Sequence, residues 1–488
     1  MNGPVLCFQG GAEWKSFENA RIIVIAKSIA GPICRTPEMN IMQNRILHQN
    51  IPSGGKTIPI SATALSGRLR GTLRAFRHRN YRLYFAGQAV SLTGAWMQQI
   101  AMSWLVYRLS GSALLLGVVS FSGQIAHLLV TPFAGVLADR FSRRRILVIM
   151  QTLAMLQASM LAFLALSDLV AVWHLVVLSL MLGIANATEM PVRQSFIIEL
   201  VEDREGLANA IALNSALFNG TRMIGPSIAG MVIALTGEGW CFLINATSFL
   251  AVIAALRAMR ISPGKRDIGG RSVFERLGEG FGYVTHSVPI RAILLLMALI
   301  SFVGLPYLIL MPVFTSAVLG GGPDTLGFLM GAAGMGAFTG ALMLATRRSP
   351  EGLGTHIGRS AFIFGLSLVA VSFVRSVLPA LPLFFLTGFG IISAMASCNT
   401  VLQSIVDDDK RGRVMSFFSM SMMGFAPFGN LLAGAVADRT GAPVTMMAGG
   451  LLCAAGAAIF LRYADVIALA LKGAGGPSDP PANGSVSD

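Results

Sequence analysis

Charged residues are scarce in this chain of 488 residues: Asp, Glu, Lys and Arg together make up 12% of it, whereas apolar types make up 54%. A soluble globular protein uses about a quarter of its residues as charged side chains to keep its surface hydrated. A shortage of this size excludes an ordinary soluble enzyme. The high apolar content also excludes a disordered chain, which would be poor in such residues.

Motifs that carry chemistry are missing as well. The five cysteines have none of the short spacings of zinc sites or disulfide frameworks. The six histidines form no H-E-x-x-H, and neither G-x-S-x-G nor a complete Walker sequence occurs; residues 54–57 (GGKT) match only the end of a phosphate loop. These absences argue against a membrane enzyme and an ATP-driven pump. No metal and no cofactor are expected.

Long apolar runs fill the chain from Tyr84 onward. About 20 helical residues span the ~30 Å hydrocarbon core of a bilayer, and twelve runs reach that length. They are too long for strands and show no sustained alternation. We therefore predict an all-α membrane protein with twelve transmembrane helices at approximately 84–107, 114–138, 146–166, 171–193, 207–235, 240–259, 291–319, 325–346, 359–377, 379–406, 412–437 and 442–463.

Basic residues are abundant in every second loop. If the N-terminus is inside, 27 of the 37 Lys and Arg residues lie in or beside inside loops, and three lie outside: Arg108, Arg375 and Arg439. Basic residues accumulate on the cytoplasmic side of membrane proteins. The pattern predicts that both termini are cytoplasmic, and it explains the net charge of +14 without a nucleic-acid partner.

Composition divides the chain into five parts. We predict a flexible, polar tail without a signal peptide over 1–70, a six-helix bundle over 71–260, a cytoplasmic linker over 261–290, a second six-helix bundle over 291–464 and a flexible tail over 465–488. Within the linker, residues 272–286 can form an amphipathic helix. That helix fits equally a membrane surface and a packed linker.

The two halves repeat each other weakly. Each copy runs from the end of an even-numbered span through the next odd-numbered one. Repeats related by an axis along the membrane normal are how two-half transporters are built. The matching residues are Val201, Asp203, Gly225, Gly230 and Gly237 in the first half, and Val406, Asp408, Gly429, Gly434 and Gly441 in the second.

Two segments resemble one known family. Residues 135–145 (GVLADRFSRRR), between spans 2 and 3, resemble the cytoplasmic loop signature of the major facilitator superfamily, G-x-x-x-D-[RK]-x-G-[RK]-[RK], with Ser142 in place of its second glycine. Residues 209–230 resemble the fifth helix of its transmembrane secretion effector branch, which includes the enterobactin exporter. The resemblance covers roughly 71–464. A partial copy of the signature at 434–439 lacks the arginine run and falls outside, so we expect no role for it.

The resemblance implies a function. It suggests a monomeric exporter in the inner membrane of a bacterium, driven by proton antiport, for a siderophore or another amphipathic organic molecule. A multidrug exporter and a lysophospholipid flippase are alternatives with the same fold. A channel or receptor is the alternative from another class, although no selectivity filter or charged pore ring is visible in the sequence.

Polar residues within the spans predict a cavity. Arg222 falls near the bilayer midplane, where a lipid-facing arginine would cost about 3 kcal/mol, so its side chain must face the interior. There it either contacts an anion or substrate, or serves a structural role against carbonyl groups or Glu189. The predicted cavity residues are Gln88, Gln99, Gln124, His127, Asn219, Arg222, Asn399 and Gln403.

Glu189 is the one acid within a predicted span. It can stabilise its helix through Arg193, join a cytoplasmic gate or carry a proton. We expect it to pair with Arg143 or Arg193. By resemblance, Asp139 faces the start of span 11; the alternative is that it caps the N-terminus of span 3. The predicted gate network contains Asp139, Arg140, Arg143, Arg144, Glu189 and Arg193.

Overall fold

The apolar runs form long helices in the computed structural model, which describes residues 74–201, 204–259, 282–347 and 349–474. The side chains of residues 74, 132–140, 204, 205, 208, 408, 409 and 474 lie outside this description. The predicted 1–70 tail, the partial phosphate loop at 54–57 and most of the linker also lie outside it. All described residues belong to one unit, 69–488.

Every regular element of the described part is helical. A short 3-10 turn, Arg74–Arg77, precedes the first long helix. The helices are α1 Arg79–Ser110, α2 Ala113–Arg140, α3 Arg143–Leu166, α4 Val172–Leu200, α5 Arg204–Thr236, α6 Glu238–Ala258, α7 Val288–Val318, α8 Pro323–Ala345, α9 Leu353–Phe373, α10 Val377–Ile405, α11 in two segments, Asp408–Met423 and Ala426–Thr440, α12 Ala442–Leu461 and α13 Ala464–Ala474.

Ten helical stretches of the described residues are long and apolar enough to cross a membrane. They correspond to ten of the twelve predicted runs; the other two runs fall on the long helices α1 and α5. Large apolar side chains point outward, including Leu235 at 84% and Leu378 at 80% exposure. Such a surface is stable against lipid and not against water.

The helices of the two halves pack in the same way. Helix α2 lies against α4, and α3 against α4 and α6; likewise α8 lies against α10, and α9 against α10 and α12. Gly237 and Gly441, which match in the sequence repeat, precede α6 and α12 with φ of 90° and 85°. Glycine adopts such angles without steric cost. The internal repeat therefore reflects a repeated packing arrangement.

Helix α7 departs from regular α geometry twice. Residues Ile300–Gly304 and Phe314–Val318 form π turns, closed by i→i+5 bonds such as the one from the Leu305 amide to the Ile300 carbonyl (2.8 Å). Pro306 and Pro312 have no N–H for the α-helical bond pattern. Because π turns concentrate at functional sites, the segment between them, which carries Tyr307, is of interest.

One of the segments predicted to be irregular contains a helix. The C-terminal tail, predicted to be flexible from residue 465, begins with α13, whose Ile467 and Leu471 are buried. Alternation of buried and exposed residues at helical spacing explains this helix, because its apolar face packs on α9 and α10. Of the predicted linker helix 272–286, the described residues 282–286 are helical.

Candidate functional site

The two halves meet along a contact between α2 and α11, which we call the α2/α11 seam. We call this end of the bundle the outer end, following the orientation that the basic residues predict. Gly434 lies so close to α2 that an added β-carbon would be 2.6 Å from the Ala113 carbonyl oxygen and 3.2 Å from the Gly117 Cα. At Gly117 it would be 2.8 Å from the Asn430 carbonyl oxygen. Only glycines allow the backbones to come this close.

A second contact joins α5 and α8, and we call it the α5/α8 seam. A β-carbon at Gly230 would lie 2.5 Å from the Pro323 carbonyl oxygen and 2.9 Å from the Gly327 Cα. At Gly327 it would lie 2.7 Å from the carbonyl oxygen of Pro226. Gly230 and Gly434 match in the sequence repeat, so the repeat marks the residues that bring the halves together at the outer end.

The α2/α11 seam also contains hydrogen bonds. Ser120 Oγ accepts bonds from Asn430 Nδ2 and from Gln124 Nε2, both at 2.9 Å. Phe121 and Phe428 add an edge contact with ring centroids 5.7 Å apart. Gln124, predicted to line the cavity, therefore has its amide bound within the seam. Asn430 was not predicted from sequence, because its partner lies 310 residues away.

Arg222 lies next to the α5/α8 seam on its inner side. It is 14 residues, about 21 Å, from the end of α5, and its guanidinium lies 5.8 Å from the centroid of the Trp96 ring. Tyr307 of α7, in the other half, lies near it. Among the described residues, Arg222 has no ion pair or hydrogen bond. The alternative of an arginine bonded to carbonyls or to Glu189 is thus not what the structure shows.

The other predicted cavity residues divide into groups. Asn219, one turn before Arg222, donates to the Ser215 carbonyl (2.8 Å). On α10, Gln403 donates to Asn399 (3.1 Å), and both are at least partly accessible. His127 is half-buried on α2.

On α1, Gln88 is buried and Gln99 exposed. The neighbouring Gln98 was missed by sequence reasoning. It donates to Gln157 of α3 (3.0 Å) and accepts from Asn245 of α6 (2.8 Å), which makes it part of a buried amide cluster inside the first half. Amides on apolar helices often bond across to neighbours in this way.

Glu189 is buried in the inner half of α4, 11 residues before the helix ends at Leu200. Its carboxylate pairs with Arg193 one turn later at 3.3 Å, and Tyr84 of α1 lies near this pair. The Tyr84 hydroxyl, itself buried, has no hydrogen-bond partner among the described residues. Of the two partners expected for Glu189, the structure places Arg193 there.

Arg143, the alternative partner, does not pair with Glu189. Arg143 binds Glu199 at the end of α4 instead. The start of α3 lies beside the last turn of α4, and Glu189 lies further along α4 toward the middle of the bundle. Arg144 donates to the Met259 carbonyl (3.1 Å) and the Arg257 carbonyl (2.6 Å) at the end of α6. Both arginines therefore connect neighbouring helices within the first half. The side chains of Asp139 and Arg140 lie outside the described residues.

Residues 70–469 match the family described as transmembrane secretion effectors, within the major facilitator superfamily. The chain belongs to this family. The chain is thus a multi-pass transporter of the bacterial inner membrane, and transporters of this superfamily bind small molecules within the membrane.

Individual relatives of the transporter are similar over most of their length. It is 28% identical to the staphyloferrin A transporter of Staphylococcus aureus over 74% of its chain and 90% of that protein. It is 27% identical to the multidrug efflux pump Tap of Mycolicibacterium fortuitum, over 72% and 87%, and 23% identical to macrolide efflux protein A of Streptococcus pyogenes, over 75% and 92%.

Solved structures share the fold. A bacterial homologue of the human lysosomal transporter Spinster, inward-facing and unoccupied, gives a TM-score of 0.62 at 16% identity, covering 82% of the transporter and 99% of that chain. An inward-facing bacterial homologue of ferroportin gives 0.61 at 17% identity, covering 78% and 98%.

Proposed function

We propose that this protein exports a siderophore or another amphipathic organic molecule from the cytoplasm by alternating access, in exchange for protons. The main support for this proposal is the position of Arg222, directly inside the closed outer seams. Among the described residues, this charged side chain has no bonding partner. A charge at this depth is costly and is characteristic of a transport pathway. The relatives support the class of cargo, since they are named as siderophore, multidrug and macrolide transporters.

The topology we propose has twelve membrane crossings. Helices α1 and α5 pack against the apolar helix α6 and have the length of the other spans, so we place them in the bilayer with the ten apolar stretches. Both termini are then cytoplasmic, in agreement with the distribution of Lys and Arg. A tag on either terminus should be protected from protease in intact cells and cleaved after lysis.

For the cytoplasmic gate, we propose that Asp139 and Arg140 of the loop signature act at the start of α11, when the inner end closes. Arg143 and Arg144 support this loop by fixing the start of α3 to α4 and α6. Glu189 and Arg193 form an ion pair in the inner half of α4, and we assign proton coupling to Glu189.

Transport assays test the proposal. Cells that express the protein should accumulate less of a siderophore or amphipathic drug than cells with empty vector, and collapsing the proton gradient should remove the difference. In proteoliposomes, counterflow of the same compound would identify a carrier. Conductance without counterflow would identify a channel, and movement of lysophospholipids alone would identify a flippase.

Residues 1–67 are expected to be dispensable, because the family match begins at residue 70. A chain that starts just before Arg68 should insert and transport at the rate of the full chain. Expression is measured on the same membranes as transport. Normal insertion with lost transport would show that the tail takes part in function.

A further inference from the structure

We infer that the substrate carries an oxyanion, a carboxylate or phosphate, which binds Arg222, and an apolar body, which lies against an aromatic wall formed by Trp96 and Phe218. This inference rests on the proposed function and specifies its substrate class. The relatives do not decide it, because their names include both siderophore and drug transporters.

The charge of Arg222 favours an anionic substrate. In the described middle part of the bundle Arg222 is the charged side chain without a counter-charge, because the acids Glu189 and Glu238 are already paired with Arg193 and Arg108. A guanidinium offers a planar fork of donors that matches a carboxylate or phosphate. A substrate that brings a negative charge therefore supplies the partner that the protein lacks, whereas a cationic drug would be repelled.

The aromatic side chains beside Arg222 offer a surface for the apolar body of the substrate. The Trp96 and Phe218 rings meet edge to face with centroids 5.8 Å apart, and Phe218 is 42% exposed. Phe218 precedes Arg222 by one helical turn on α5, so both side chains lie on one side of that helix. Tyr307 of α7, in the other half, lies near Arg222, and its helical segment packs on α1. An anionic, apolar molecule bound here would therefore lie where the two halves meet.

Paired probes separate the charge from the apolar body. With purified full-length protein, fluorescence titration should show that 1-pyrenebutyrate binds about tenfold or more tightly than 1-pyrenebutyramide, the scale of a lost hydrogen-bonded charge. Arg222→Ala should remove this preference and Arg222→Lys should keep part of it, while Arg359→Ala, at an exposed arginine on α9, should change nothing.

Lysophosphatidate and the monoacylglycerol with the same acyl chain, which lacks the phosphate, form the second pair and test phosphate recognition separately from carboxylate recognition. Equal binding of the charged and neutral members of both pairs would overturn the inference, as would a preference that survives in Arg222→Ala. Either result leaves export itself intact, since the accumulation assay measures that separately. A preference for cationic rhodamine 6G over pyrenebutyrate would also overturn it.

Asp438, at the outer end of α11, supports a second inference: it is a positioning residue that holds the outer end closed. Its Oδ1 accepts hydrogen bonds from Ser112 Oγ (2.8 Å), the Ala113 amide (3.0 Å) and the Leu114 amide (3.4 Å). Helix α2 begins at Ala113, so the first N–H groups of a helix in one half are capped by a carboxylate from the other half. We propose that these bonds form and break with each transport cycle.

The sequence around Asp438 supports this role. Residues 434–439 (GAVADR) repeat the loop-signature residues 135–140 (GVLADR), the former at the outer end of α11 and the latter at the inner end of α2. The expectation that the second copy has no role is thus replaced by a specific one. On α11, Asp438, Gly434 and Asn430 are spaced by four, and all three contact α2.

The chemistry of the contact makes it reversible. Asp438 is exposed, so when the seam opens, water can hydrate the carboxylate and the freed N–H groups. Loss of a helix N-cap typically changes an equilibrium by about two- to thirtyfold, a bias that a bound substrate can overcome. The negative charge also suits the positive end of the α2 dipole.

Electron paramagnetic resonance measures the opening. Spin labels at Leu169→Cys and Leu378→Cys, exposed positions at the outer ends of the two halves, in a chain whose own cysteines are replaced, report the separation of those ends. Asp438→Ala should raise the ratio of long to short distances about two- to thirtyfold. Ser112→Ala, which leaves the two backbone donors, should give a smaller rise, and Arg439→Gln should give none.

An unchanged distance distribution in Asp438→Ala, with normal expression, would overturn the inference. If Asp438→Ala is poorly expressed, Asp438→Asn decides, since an amide oxygen still accepts but lacks the charge: it should give an intermediate shift. A shift equal in Asp438→Ala and Arg439→Gln would also overturn it, because general loosening of the outer end would then explain both.

Discussion

Adding one methyl group to each seam, in Gly230→Ala with Gly434→Ala, is expected to remove at least about nine-tenths of transport. The new β-carbons would lie 2.5 Å and 2.6 Å from the backbone oxygens of Pro323 and Ala113, and backbone atoms cannot turn aside as a flexible side chain can. Overpacking costs roughly 1–3 kcal/mol at each site. The closed state of the outer end would lose that amount, and the cycle requires this state.

Transport rate and the Leu169–Leu378 distance are measured together. The distance should increase in the double variant. Gly220→Ala with Gly473→Ala is the matched control, because an added methyl at either glycine meets nothing within 4 Å among the described residues. If the double variant transports normally with an unchanged distance, the seams are not the outer closure.

Glu189→Gln is expected to abolish uphill export and to leave counterflow. Each pH unit across the membrane is worth about 1.4 kcal/mol per proton, a tenfold substrate gradient. A glutamine cannot bind and release this proton, so accumulation should fall to the level of simple equilibration. Exchange of labelled for unlabelled substrate needs no net proton movement and should continue.

Glu199→Gln is the control for this prediction. It lies on the same helix and also pairs with an arginine, Arg143, but it is nearer the end of α4 and more exposed. It should retain proton-driven export. If Glu189→Gln still concentrates substrate with the normal pH dependence, Glu189 is not the coupling residue. If it instead loses counterflow as well, its pair with Arg193 holds the structure of the inner end.

The sequence predicted the helices well, because hydropathy reports directly on burial in lipid. Runs such as 291–319 and 325–346 correspond to α7, Val288–Val318, and α8, Pro323–Ala345. It also indicated Arg222 as interior, since the alternative is energetically unfavourable. The π turns of α7 were not predicted, because they depend on how the carbonyls left by Pro306 and Pro312 find other donors.

The sequence could not show which residues form hydrogen bonds between neighbouring helices. Gln98, Gln99 and Gln124 look alike along the chain, yet the first is bonded within one half, the second is exposed and the third is bonded in a seam. Helical spacing orders residues on one helix but does not say which neighbour each face meets. Asp438 shows this best, since its bonds to α2 span more than three hundred residues.

The two seams differ in polarity. The α2/α11 seam contains the Asp438 and Asn430 hydrogen bonds, whereas the α5/α8 seam contains small residues and one long bond, from Ser227 to the Gly327 carbonyl at 3.4 Å. Water entering from outside can replace the first kind of contact but not the second. The outer end should therefore begin to open along α2 and α11, with α5 and α8 separating after them, and a substrate would leave on the α2/α11 side.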